Sequence, residues 1–428
     1  MKKAILSAVL VVCLWVFISA CQGESDTPSP DPEVVASAVP DTPTPTRPGP
    51  TETATNPPIE VEVVETATKE NTPDETPTES PDDGEIPPYR FDSPEYGIQA
   101  FMWWRPEIAE RDLGLVQDLE FQWVKQAFAW RDIETLEKGK YDWWRPDNIV
   151  DAVENAGLSL IVRIDRQPFW SQENDWPPLE NAPPADMQDF GDFCSAIAER
   201  YRGRIEAYQV WNEPNLTREW GNEPPDPAAY TQLLKLCFEA IKEADPDALV
   251  ISAGLAPTGT SLPEAMPDGQ FLQGMYEAGA AEYFDVLGLN APGYKAPPEA
   301  SPEEGEENPD YGGGRWFVFR HVEDMRAIME ANGDRNKQVA ILELGWTTDE
   351  VNPSYAWHAV TEEEQADYLV RAYQYAAENW QPWIGPIVAI YIADYDWTPE
   401  SDEQWWWAIT LPDGTKRPAY NALQQMEK

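Results

Sequence analysis

Histidine is nearly missing from this sequence: His321 and His358 are the only imidazoles in 428 residues. Cysteine is almost as scarce, at four, and basic side chains are few, 30 Lys and Arg against 77 Asp and Glu. Each shortage excludes something. Two isolated histidines give little support to a Ser-His-Asp hydrolase or a histidine-rich zinc site, and no Cys/His spacing of a metal site occurs. A formal net charge of −47 repels phosphate backbones, so nucleic acid is excluded as a partner and polyanionic substrates are disfavoured. Neutral ligands fit such a surface, although an acidic surface also serves plain solubility.

The N-terminus is the one long apolar run. Met1-Lys2-Lys3 precedes apolar residues from Ala4 to Ala20, and Ile18-Ser19-Ala20 leads into Cys21. A basic start, a short apolar core and small residues read as a secretory signal over 1–20 rather than a membrane span. The last four residues resemble the lipobox of bacterial lipoproteins, which implies lipidation of Cys21 and an extracytoplasmic, membrane-anchored protein at the cell surface. Residues 21–88 are rich in Pro, Thr, Ser, Glu and Asp, with few large apolar side chains. Such a stretch cannot bury enough area to offset chain entropy, and it reads as a disordered tether. Cys194 and Cys237 fall on the apolar faces of two successive predicted helices. They read first as two buried thiols, with a helix-to-helix disulfide as the alternative.

From Tyr89 onward the composition turns aromatic, apolar and periodic. Strands are expected at 97–103, 121–128, 158–164, 205–214, 248–253, 284–289, 338–343 and 387–393, alternating with helices. Eight apolar strands alternating with helices predict an α/β fold, a (β/α)8 TIM barrel over 89–428. The rival doubly wound sheet lacks its Gly-rich phosphate turn after any strand.

The fourth strand, IEAYQVWNEP, stops at Trp211-Asn212-Glu213-Pro214, and the seventh, VAILELGW, carries Glu343 at its end. Proline biases the residue before it toward extended backbone, so Glu213 is expected at the strand terminus. In a closed barrel the ends of strands four and seven face one another across the mouth. Paired carboxylates across a cleft are what glycosidic-bond cleavage requires, one protonated to serve the leaving oxygen and one ionised to attack the anomeric carbon.

On Trp211–Pro214 and Glu343-Leu344-Gly345-Trp346 the chain resembles the retaining glycoside hydrolases of clan A, close to its β-xylosidase, iduronidase and cellulase types. The segment Phe128–Trp143 is similar to that clan's loop after strand two. The resemblance implies that Glu213 is the general acid/base, Glu343 the nucleophile, Asn212 a hydrogen-bond partner of the sugar, Trp397 the floor under the reacting sugar and Tyr294 the residue orienting the nucleophile. Lys125 stands where many members place an arginine. Strand six ends Asn290-Ala291-Pro292-Gly293-Tyr294 without the His-x-Tyr of many members, and the charges of Arg163-Ile164-Asp165-Arg166 have no counterpart in the clan's pattern.

Twenty tryptophans are present, many of them in expected mouth loops: Trp103, Trp104, Trp130, Trp170, Trp176, Trp220, Trp346, Trp397 and Trp405–Trp407. Their faces suit pyranose rings, and about half are expected in the core instead. Trp130 and Trp397 are the preferred sugar contacts, and Lys125 joins the substrate-binding set. The acidic loop 295–314 is expected to be either a mobile lid or subsite wall, or disordered decoration. The reading is a monomeric retaining glycosidase acting on a neutral, β-linked glycan without metal or organic cofactor. A non-catalytic surface carbohydrate-binding protein and a transglycosylase are the rivals.

Overall fold

Apolar segments of three to seven residues, each followed by an amphipathic helix, close on themselves in the computed structural model, which describes residues 89–172 and 179–428. The expected signal 1–20, Cys21, the tether 21–88 and Trp176 lie outside the described residues. The strands are β1 (Glu95–Gln99), β2 (Trp123–Ala129), β3 (Ser159–Asp165), β4 (Ala207–Val210), β5 (Leu249–Ile251), β6 (Val286–Asn290), β7 (Gln338–Leu344) and β8 (Ile384–Ala389). All neighbours are parallel, and β8 pairs with β1 to close an eight-stranded barrel. The principal helices are α1 (Ala109–Asp118), α2 (Trp144–Asn155), α3 (Met187–Arg200), α4 (Pro227–Ala244), α5 (Asp268–Glu277), α6 (His321–Ala331), α7 (Glu362–Asn379) and α8 (Pro418–Gln425), one after each strand. The expected (β/α)8 barrel is therefore present.

Local chemistry explains the helix starts. Asp226 accepts from the backbone of Ala228 and Ala229, with Pro227 in the first turn of α4. Thr361 and Glu364 form a reciprocal capping box on α7. Strand β8 begins three residues before its expected start. Pro386, which lacks an N–H, sits opposite Glu95 where the β1–β8 pairing begins, so the missing donor is tolerated there.

The barrel interior is stacked by chemistry. Trp123, Ile161, Ala207, Ile251, Val286, Ala340, Leu342 and Val388 fill an apolar layer with Phe91. Two residues further along three of these strands come Lys125, Arg163 and Gln209, and Gln99 from β1 joins them; Lys125, Gln99 and Gln209 are fully buried. Side chains alternate along a strand, so i and i+2 share the inner face, and the interior changes from apolar to charged within one step.

Two sequence expectations change. Cys194 of α3 and Cys237 of α4 are joined in a disulfide, not left as thiols, because the apolar faces that carry them pack against each other. The loop 295–314 is folded rather than disordered decoration. It contains a capped helix, Pro302–Glu307, and Arg315 binds Glu303 at 3.0 Å, Glu306 at 3.2 Å and Asp324 at 2.8 Å.

His321, the first residue of α6, lies between Asp268 at 2.9 Å and Asp324 at 2.8 Å. Burial opposes its protonation, but the two carboxylates prevail and raise its pKa to about 9. A raised pKa contributes stability that is complete below the ordinary histidine value and lost as pH climbs through about 9. Thermal stability should therefore fall from neutral pH to about pH 9, and His321→Asn should flatten that decline in a scanning-calorimetry series. The disulfide closes a 43-residue separation. Replacing both cysteines with serine should cost up to about 4 kcal/mol in urea unfolding on chain-entropy grounds.

Candidate active site

The charged layer opens into a cleft of about 1020 Å³ at the carboxyl ends of the strands, where Glu213 and Glu343 both line the wall. This is the face on which such barrels carry their functional groups.

Glu343 reaches the cleft through an irregularity. Ala340 and Leu342 already point into the barrel, so strict alternation would send Glu343 outward. Register shifts between Ile341 and Leu344 against β8, and at Leu289/Asn290 against β6, break the alternation and turn the glutamate inward. Its Oε1 lies 3.3 Å from Lys125 Nζ and 3.7 Å from Arg163 Nη1. Lys125 also donates to the Leu342 carbonyl oxygen at 2.9 Å, and Arg163 is backed by Asp165 at 2.9 Å. Burial lowers the Lys125 pKa to about 8, although the neighbouring Glu343 works against that fall. Both cations meet Oε1; Oε2 has no protein hydrogen bond among the described residues.

Glu213 comes from a strained turn. Strand β4 ends at Val210, and Trp211 and Glu213 take φ of +74° and +42°. The extended backbone expected before Pro214 is overridden because the Glu213 N–H is held by the Gly254 carbonyl at 3.1 Å and both carboxylate oxygens are engaged. Asn290 Nδ2 donates to Oε1 at 3.0 Å, and Arg218 Nη2 donates to Oε2 at 2.7 Å. Burial raises the Glu213 pKa; Arg218 opposes the rise, while the charges of Glu343 and Glu219 add to it. A Cβ at Gly254 would lie 2.2 Å from Asn290 Oδ1, so any larger residue there must push that amide aside.

The other expected site residues divide. Asn212 borders the cleft, with its Oδ1 3.4 Å from Gln209 Nε2. Trp397 lines the cleft and packs edge-on against Phe101 and Tyr391. Tyr294 lines it too, but its hydroxyl donates to the Pro257 carbonyl at 3.2 Å rather than to Glu343. Lys125 is fully buried beneath Glu343 and is not among the cleft-lining residues, so it supports a carboxylate instead of meeting a ligand. Trp130 is also fully buried. It lies among Trp170, Phe190 and Phe193, and its indole N–H donates to Glu134 at 2.6 Å. Trp220 and Trp346 are buried as well, so among the described residues Trp397 and Trp407 are the tryptophans that line the cleft.

Sequence reading missed Asn290, Arg218, Tyr391 and Tyr355, all cleft residues. Asn290 ends β6, and its place at the carboxyl end of a strand was the signal that could have found it. Arg218 follows the turn after β4 and carries no periodic signal. Among the described residues no group of three or more His, Cys, Asp or Glu could hold a metal ion.

The cellulase model of glycosyl hydrolase family 5 matches residues 88–274, a window that contains Glu213 and stops before Glu343. No curated protein matches the chain. Among solved structures it is similar to a family 39 glycoside hydrolase from Bacteroides cellulosilyticus WH2, at 18% identity and a TM-score of 0.55, covering 78% of this chain and 63% of that one. The family 39 enzyme from Xanthomonas axonopodis pv. citri gives 18% identity and a TM-score of 0.54 over 78% and 65%. Xylanase 10B of Thermotoga maritima gives 17% and 0.50 over 77% and 94%. This chain thus spans under two thirds of the family 39 proteins, and at these identities the structural likeness shows the fold. The resemblance to clan A glycoside hydrolases stands.

Gly254→Ala should displace Asn290 and lower stability by about 1–3 kcal/mol, the usual cost of overpacking, measured by urea denaturation. A crystal structure of the variant should show the Asn290–Glu213 hydrogen bond broken.

Proposed function

We propose that the protein is a retaining glycosidase cleaving O-glycosidic bonds in a neutral, β-linked glycan. The observation that carries this reading is the placement of two glutamates, from the ends of β4 and β7, on the wall of one cleft. Glu343 attacks the anomeric carbon, displacing the leaving oxygen as Glu213 gives it a proton. Water, deprotonated by Glu213, then attacks the same carbon and frees Glu343. Burial raises the Glu213 pKa, the direction that an acid role needs. Lys125 and Arg163 orient Glu343 from below. Trp397, Phe101 and Tyr391 supply an aromatic wall suited to the apolar face of a sugar ring.

The same reading takes the protein to be a monomer lipid-anchored through Cys21 outside the cytoplasm. The Cys194–Cys237 disulfide supports an oxidising compartment.

The purified protein should release sugar from one member of a panel of β-glucans, xylans, mannans and aryl β-glycosides. Glu343→Gln should release none, and Glu213→Gln should be slowed by about 10²–10⁴-fold on substrates with poor leaving groups. Glycan binding without release by wild type would replace the glycosidase with a surface carbohydrate receptor. Glycosyl transfer that outruns hydrolysis at high sugar concentration would make it a transglycosylase.

A further inference from the structure

Both oxygens of Glu213 are occupied by N–H donors, Oε1 by Asn290 and Oε2 by Arg218. Such an arrangement suits the ionised carboxylate, which only accepts. It suits the protonated acid less well: a proton could occupy the second lone-pair direction of Oε2, but neutralising the carboxylate would forfeit its pairing with the Arg218 guanidinium at 2.7 Å. The free site is therefore set for the base half of a double displacement and biased against the acid half.

Arg218 has somewhere else to go. It lies in a single 3-10 turn, Thr217–Glu219, after β4, and its side chain is 68% accessible although it lies against the cleft wall. Its Nε is 3.5 Å from Glu219 Oε1. Glu219 is itself anchored, since its Oε2 accepts from Asn181 Nδ2 at 2.9 Å. The groups facing Glu213 from the other elements are Asn290 and Tyr294 after β6, Glu343 and Tyr355 on the β7 side and Tyr391 after β8. Arg163 and Arg166 also line the cleft, but among the described residues Arg218 is the cation that is hydrogen-bonded to Glu213.

We propose that Arg218 is a positioning residue that pairs with Glu213 in the free protein and in the glycosyl-enzyme, and swings to Glu219 when a leaving group docks. The inference rests on the glycosidase reading. Withdrawal of the guanidinium frees Oε2 to carry a proton toward the leaving oxygen. After bond cleavage Glu213 is a carboxylate again, Arg218 returns, and the ionised form is ready to take a proton from water. One glutamate thus serves as acid and then as base, with a cation moving in step.

The test compares wild type, Arg218→Gln and Arg218→Lys; the exposed side chain leaves the core intact in both variants. The side-chain carboxyl of Glu213 is titrated by ¹³C NMR, with its signal identified by loss in Glu213→Gln. In Arg218→Gln the midpoint should move up by about one pH unit or more, as expected on losing an adjacent opposite charge, and Arg218→Lys should stay near wild type. On an aryl glycoside with a good leaving group, Arg218→Gln should show a burst of phenol followed by slow turnover. The alkaline limb of kcat/KM should move upward with the NMR midpoint. An unmoved midpoint, or a higher KM with both pH limbs unchanged, would reduce Arg218 to an ordinary substrate contact and overturn the proposal. The NMR titration needs no substrate, so it decides the Arg218–Glu213 coupling even if no glycoside is cleaved, a result that would count against the glycosidase reading itself.

Discussion

The structure depends on a cluster of opposite charges held inside a closed barrel. Lys125 and Arg163 point into an interior whose lower layer is entirely apolar, and each would carry a large desolvation cost alone. Glu343 and Asp165 meet that cost, at 3.3 Å from Lys125 and 2.9 Å from Arg163. The pairing requires Glu343 to face inward, and that requires the broken register of β7. The irregular strand, the buried cations and the exposed carboxylate edge are thus one feature, not three. The cluster sits where the barrel widens into the cleft, so the cations that stabilise the interior also fix the position of the group proposed to react.

The second glutamate is held by a different economy. Glu213 sits in a left-handed backbone conformation after β4, stabilised by the Gly254 carbonyl and by two side-chain donors from separate elements. Glu343 is tied to the rigid barrel wall, whereas one partner of Glu213 is an exposed arginine on a short turn. In the proposed mechanism Glu213 changes protonation twice per cycle and benefits from such a replaceable partner, whereas Glu343, proposed to form a covalent bond, benefits from a fixed one.

Much of this was legible in the residues. The eight strands announced themselves by short apolar runs, and their alternation with amphipathic helices was enough for the barrel. Glu213 and Glu343 could be singled out because each ends a strand, and strand ends on one face must converge. What stayed hidden depended on local departures from period. The inward turn of Glu343 follows from a register shift that the pattern VAILEL does not reveal. Trp130 looked like a mouth residue by sequence position, yet a four-residue helix at 130–133 folds its ring into the shell around Phe190 and Phe193. Arg218 belongs to no strand or long helix, and only the fold of the turn brings it to Glu213. The Cys194–Cys237 bond needed the packing of α3 on α4 before either bonding state could be chosen.

In the proposed reaction Glu343 forms a covalent bond to the sugar. Incubation with 2-deoxy-2-fluoro glycosides bearing activated leaving groups, followed by peptide mapping by mass spectrometry, tests it most directly. A fluorosugar ester on the peptide containing Glu343, absent from Glu343→Gln, is the predicted result. Turnover of glycans with no trapped ester, or an ester on another carboxylate, would rule out Glu343 as the nucleophile.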